Sequence, residues 1–241
     1  MSDSIDELIT SPRPTAMRPL LGLTILLVED SRFASEAIRL LCLRSGARIR
    51  RADCLASARR HLQTYRPAVV IVDLGLPDGS GADLIRELSR PGGRDHSPAI
   101  VATSGDDLAA HRALTVGAQA FLSKPVENLG VFQEAILRLL PEEARPRGPR
   151  MIDGDPVQPD ELALHDDLAH VADLLNSKDA PQTLDYISQF LDGIARSAKD
   201  AGLTEVSATL ARMRDDGTPP DQAFGKLRMA IQERLSQRAA I

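Results

Sequence analysis

Five residues able to do chemistry stand at the ends of short apolar runs. Glu29 and Asp30 follow Thr24–Val28, and Asp73 follows Ala68–Val72. Ser104 closes the run Ala99–Thr103, and Lys124 comes just past Ala118–Leu122. Three carboxylates brought to one place repel each other unless a cation sits among them. An all-oxygen ligand set with room for water suits Mg²⁺. Such a cation would also neutralise an incoming phosphoryl group, which Lys124 and Ser104 could help hold.

Convergence of these residues requires a particular scaffold. The apolar runs alternate with amphipathic stretches at Ala34–Leu43, Leu55–Tyr65, Asp83–Ser89, Leu108–Val116 and Leu129–Leu140. One run, Ala47–Ala52, is polar and reads as a strand near an edge. Strands that are apolar throughout, separated by helices, imply a parallel sheet covered on both faces. Ligands in such sheets sit at the carboxyl ends of the strands, where the five residues fall.

Composition narrows the function classes. The chain has 241 residues, enough for one or two domains, and 43% are hydrophobic, which rules out disorder throughout. A net charge of -5 and the absence of Trp argue against a nucleic-acid-coating protein or a base-stacking platform. Two cysteines, Cys42 and Cys54, make neither a disulfide framework nor a Cys-rich zinc site. No apolar run reaches the ~20 residues of a membrane span, and the N-terminus is acidic where a signal peptide is basic. A cytoplasmic protein with reduced thiols is expected.

Four segments carry a family resemblance. They are Ile-Leu-Leu-Val-Glu29-Asp30-Ser, Val-Val-Ile-Val-Asp73-Leu-Gly-Leu-Pro-Asp-Gly-Ser-Gly81, Ile-Val-Ala-Thr-Ser104-Gly and Ala-Phe121-Leu-Ser-Lys124-Pro125. In this order and spacing, residues 23–140 resemble the receiver domain of bacterial two-component response regulators. The resemblance implies a flavodoxin-like (βα)5 fold with a five-stranded parallel sheet. It makes Asp73 the phosphoacceptor, served by a histidine kinase or a histidine phosphotransfer protein. Asp30 and Glu29 become Mg²⁺ ligands, together with Asp73 and the backbone carbonyl of Gly75. Ser104 becomes the switch hydroxyl, with Thr103 as a substitute, and Phe121 the switch aromatic. Lys124 would pair with the phosphoryl oxygens, and the Lys124-Pro125 bond would be cis. The family is a signalling switch, not an enzyme beyond its own phosphoryl transfer and autodephosphorylation. From Ser104 to Lys124 there are 20 positions, about two fewer than the family spacing, so the segment around the fourth helix is expected to be short.

The remaining chain is organised by proline. Residues 1–22 read as a flexible leader and residues 141–159, with five prolines, as a linker. That linker begins where the fifth helix ends, so it tethers the C-terminal segment to the face built by the fourth helix, fifth strand and fifth helix.

Residues 160–241 form a small helical bundle. Its four stripes are Leu164/Leu168/Val171/Leu175, Ile187/Leu191/Ile194/Ala198, Leu203/Val206/Leu210/Met213 and Phe224/Leu227/Ile231/Leu235, with breaks at Pro181, Gly202 and Pro219-Pro220. Its net acidity argues against phosphate-backbone binding; only the last helix is basic, with Lys226, Arg228, Arg234 and Arg238. An output through an unidentified protein partner is expected, with a transcription regulator of atypical output as an alternative. The stretch Phe190–Met213 is also faintly similar to the helix–Gly–helix of histidine phosphotransfer domains, but its phosphohistidine position falls near Asp192. His165 and His170, beside the first stripe of the bundle, are the remaining candidates for a phosphoryl carrier, with ordinary surface histidines as the plain alternative.

Overall fold

The computed structural model describes residues 13–90, 97–106, 108–150, 152, 154–177, 183–215 and 220–238. Its first half runs β1 (Thr24–Val28), α1 (Arg32–Ser45), β2 (Arg48–Ala52), α2 (Leu55–Thr64) and β3 (Val69–Asp73). A small hairpin, β4 (Gly75–Leu76) and β5 (Gly79–Ser80), leads into α3 (Gly81–Leu88). Then come β6 (Ala99–Ser104), α4 (Ala109–Thr115), β7 (Ala120–Ser123) and α5 (Leu129–Leu137).

Five strands make one parallel sheet in the order β2-β1-β3-β6-β7. Alternate residues of each strand feed opposite faces. Leu27 and Ile71 pack with Ile38, Leu41, Phe132 and Ile136 on the α1/α5 side. Leu26, Val28, Val70 and Val72 pack with Leu84, Ile85 and Ala113 on the other. The arginine-rich β2 lies at the edge, as its composition requires, because three arginines cannot be buried between two layers. Helix α5 stops short of its apolar periodicity. It ends at Leu137, yet Leu140 still buries its side chain. There the chain is caught by the Arg145 guanidinium, which donates to the Leu140 carbonyl.

The proline-rich segment does not run free. After a 3₁₀ turn at Glu142–Ala144 it packs along α5 and α1: Arg150 pairs with Glu134, and the Arg44 guanidinium donates to the Asp155 carbonyl at 3.1 Å. Val157 is buried in the sheet's own core, and its amide donates to the Glu127 carbonyl at 3.1 Å. The chain therefore re-emerges beside α1, and the following bundle docks there. This corrects the expectation of a tether to the α4–β7–α5 face: one buried valine moves the attachment point.

The second half comprises α6 (Glu161–Asn176), α7 (Leu184–Ser197), α8 (Ala201–Asp215) and α9 (Pro220–Arg238). The four stripes meet in one core that includes Leu168, Ile187, Leu191, Ile194, Leu203, Leu210 and Ile231. Pro181, Pro219 and the Met213 side chain lie outside the described residues. Gly202 is not a break but sits in the first turn of α8, where a β-carbon would come 2.1 Å from Arg234 Nη2. The turn before it is stabilised by Asp200, which accepts from the Leu203 amide and pairs with Arg234 of α9. No helix among the described residues is long and apolar enough to cross a membrane.

Candidate functional site

Each strand end delivers its residue to one rim. Glu29 and Asp30 lie between β1 and α1, Asp73 closes β3, and Lys124 comes just after β7, with Lys124-Pro125 cis. Lys124 Nζ is 2.7 Å from Glu29 Oε2 and 3.2 Å from Asp73 Oδ2. One carboxylate oxygen each from Glu29, Asp30 and Asp73 lies within 4.8 Å of the others. A single ammonium faces three carboxylates, two of them buried. Burial, then Glu29, pushes the Asp73 carboxyl up to about 7, against the pull of Lys124. Burial, then Glu29 and Asp73, push Asp30 up to about 8. Lys124 is held above its ordinary range because Asp73 and Glu29 outweigh its burial. A cluster this short of positive charge, built only from hard oxygen donors, fits a divalent cation of the Mg²⁺ type.

The backbone under Asp73 is tightly packed. Gly81 opens α3 directly against it: a β-carbon there would lie 1.9 Å from the Asp73 carbonyl oxygen. The turn at Pro77–Gly79 does more than reverse the chain. Asp78 accepts from the amides of Leu55 and Ala56 at 2.8 and 2.9 Å and so caps α2. Gly75 borders the same pocket as Asp73.

Two adjacent hydroxyls differ in their readiness to act. Thr103 pairs with Asp73 across the β3–β6 ladder, is fully buried, and its Oγ1 has no hydrogen-bond partner. Ser104 is partly exposed and its Oγ already accepts from the Asp106 amide at 3.1 Å. A buried hydroxyl without a partner is costly unless something else uses it. Thr103 is thus the hydroxyl in register with Asp73, whereas Ser104 borders the pocket beside it. Phe121, next to Ala102 in the ladder, is partly buried at the edge of the α2/α3/α4-side core.

The bundle reaches this rim, which sequence reasoning did not anticipate. Asp167 of α6 is 2% exposed and accepts from Ser31 Oγ at 2.7 Å, the Arg32 amide at 2.7 Å and the Phe33 amide at 3.0 Å. It is thus a second cap for α1, supplied from 135 positions away. Burial pushes its carboxyl up, and the three donors pull it back. Phe33 inserts into the bundle's core. On α7, the Tyr186 hydroxyl donates to Asp30 Oδ2 at 2.7 Å, and burial followed by Asp30 raises its phenol above the ordinary range. A cavity of about 470 Å³ lies between the two halves, bordered by Asp30, Asp73 and Gly75 on one side and Tyr186, Gln189 and Asp192 on the other. Asp192 pairs with Arg196 at 2.9 Å. The two histidines flanking Asp167 are less engaged: His165 is half-buried, and His170 is exposed and rests edge-on against Phe190 at 5.6 Å. The overlooked signal was local: Asp167 falls three residues after Leu164 and one before Leu168, an acid on an apolar stripe. Tyr186 carried no such mark.

The response regulator receiver domain family matches residues 25–136. Residues 25–136 are a response regulator receiver domain. Curated relatives match over about half of the chain. The KDP operon transcriptional regulatory protein KdpE of Escherichia coli is 33% identical over 42% of this chain and 44% of its own length. The probable transcriptional regulatory protein TcrX of Mycobacterium tuberculosis is 29% identical over 55% of this chain and 57% of its own. This chain therefore spans about half the length of the curated relatives it matches. A solved response regulator signal receiver domain from Bermanella marisrubri is 32% identical, covering 48% of this chain and 92% of that one, with a TM-score of 0.40. The family match ends at residue 136 and does not reach α6–α9.

Proposed function

We propose that this protein is a cytoplasmic response regulator whose receiver domain is phosphorylated on Asp73 with Mg²⁺ as cofactor. The observation that carries this reading is the cluster of Glu29, Asp30 and Asp73 against Lys124 at the carboxyl ends of the strands. Asp73 is the nucleophile toward a phosphohistidine carried by a histidine kinase or a phosphotransfer protein. Glu29, Asp30, Asp73 and the Gly75 carbonyl would hold Mg²⁺, which when bound screens charge on the transferred phosphoryl group. Lys124 stays charged and pairs with a phosphoryl oxygen. Thr103 offers its unpartnered hydroxyl to the same group, and its movement frees space beside Phe121. The bundle then acts through contacts with another protein. Against a DNA-binding role for α9, two of its arginines are already engaged: Arg228 donates to the Leu175 carbonyl and Arg234 is paired with Asp200.

A small phosphodonor with Mg²⁺ should label the chain once, with the base-labile character of an acyl phosphate. Asp73→Asn should abolish the label. Label that survives in this variant, or acid-labile label on His165 or His170, would refute the assignment.

A further inference from the structure

The two halves meet on one of the carboxylates that would hold the cation. Tyr186 donates to Asp30 Oδ2 at 2.7 Å, while the Ser31 amide donates to Asp30 Oδ1 at 3.0 Å. Each oxygen keeps a further lone pair, so the two donors orient the carboxylate without consuming it. The clamp that brings Tyr186 there is built from buried groups: Asp167 on three donors at the start of α1, and Phe33 in the bundle core. Helix α7 roofs the pocket without filling it. The cavity of about 470 Å³ leaves space for an ion with its waters and a phosphoryl group beneath Tyr186. Gln189 of α7 borders the same cavity and comes close to Gly75, where a β-carbon would lie 3.1 Å from its Oε1.

We propose that the cation site is a composite of both halves, with Tyr186 as a positioning residue for Asp30, so that the docked bundle raises the affinity of the receiver domain for Mg²⁺. The proposal rests on the reading of Glu29, Asp30 and Asp73 as cation ligands. Hydrogen-bond partners of metal-ligating groups typically govern affinity by about 10- to 100-fold. By linkage, a cation that binds better with the bundle docked also favours docking by the same factor.

The chain's lack of Trp makes the test direct, because its only tyrosines are Tyr65 and Tyr186. Tyr65 has a buried hydroxyl without a partner, so Tyr65→Phe sacrifices no hydrogen bond and leaves Tyr186 as the sole tyrosine signal. Mg²⁺ alone is titrated into this 241-residue chain, followed by tyrosine fluorescence and by calorimetry. The expected result is a Tyr186 response with the calorimetric midpoint. In the wild-type background, Tyr186→Phe should weaken Mg²⁺ binding about tenfold or more while circular dichroism stays unchanged. Asp167→Ala, which removes hydrogen bonds to Ser31, Arg32 and Phe33 and none to a cation ligand, should weaken it in the same direction. Unchanged or tighter Mg²⁺ binding by Tyr186→Phe, or a silent Tyr186, overturns the proposal. A wild-type chain that binds no Mg²⁺ at millimolar concentration overturns the ligand reading itself, a separate and distinguishable failure.

Discussion

Replacing Phe33 by Ala tests whether the two halves are one folded body. Phe33 belongs to α1 of the receiver domain, yet it is 7% exposed because the bundle covers it. A Phe ring buries roughly 150–250 Å². At about 25 cal/mol per Å² that is some 4–6 kcal/mol, an upper figure because unfolded chains already hide part of that surface. Phe→Ala in cores costs about 3–5 kcal/mol. For a ring at the junction of two cores we expect about 2–4 kcal/mol. Leu43, on the same helix, is 53% exposed and serves as the control. Leu43→Ala should cost no more than about 0.5 kcal/mol. Urea unfolding followed by circular dichroism measures both, with the midpoint falling for Phe33→Ala at a nearly constant slope. If Phe33→Ala is as mild as Leu43→Ala, Phe33 faces water in solution, and the docked arrangement of α1, α6 and α7 is wrong.

Two further outcomes are set by the geometry beneath the site. Gly81→Ala forces a β-carbon to within 1.9 Å of the Asp73 carbonyl oxygen, which only backbone movement can relieve; phosphoryl labelling of Asp73 should fall about tenfold or more, and labelling at the wild-type rate would show that this packing does not position the nucleophile. Thr103→Val removes a buried hydroxyl that has no partner, so it should leave stability within about 0.5 kcal/mol or raise it, whereas Ser104→Ala deprives the Asp106 amide of its acceptor. Hydrogen exchange of β7 and α5 with and without a phosphoryl mimic should lose its difference in Thr103→Val, and retention of that difference would return the switch role to Ser104.

Much of the receiver domain was legible because its signals are local and periodic. Val69–Asp73 is buried throughout and Thr24–Val28 nearly so, and their apolar runs could hardly be anything but interior strands. The edge position of β2 could be read from arginines that no double-covered strand could carry. Glu29, Asp30, Asp73 and Lys124 were legible as a set for the same reason: parallel strands deliver their carboxyl ends to one rim. The different settings of Thr103 and Ser104 were not, since neighbours on a strand point to opposite faces and only the pairing of β3 with β6 puts Thr103 in register with Asp73.

Two folded segments of different class, the sheet's buried and edge strands, and a carboxylate cluster suited to a cation follow from residue order and periodicity alone. How those segments sit together depends on contacts between residues far apart in the chain. Val157 is one apolar residue in a proline-rich stretch, yet its burial turns the chain back toward α1. Asp167 and Tyr186 find Arg32 and Asp30 across 135 and 156 positions. Contacts of that separation leave no periodicity and no spacing rule in the chain. They arise because the amides at the start of α1 and a crowded carboxylate need partners, and the nearest surface able to supply them is the bundle.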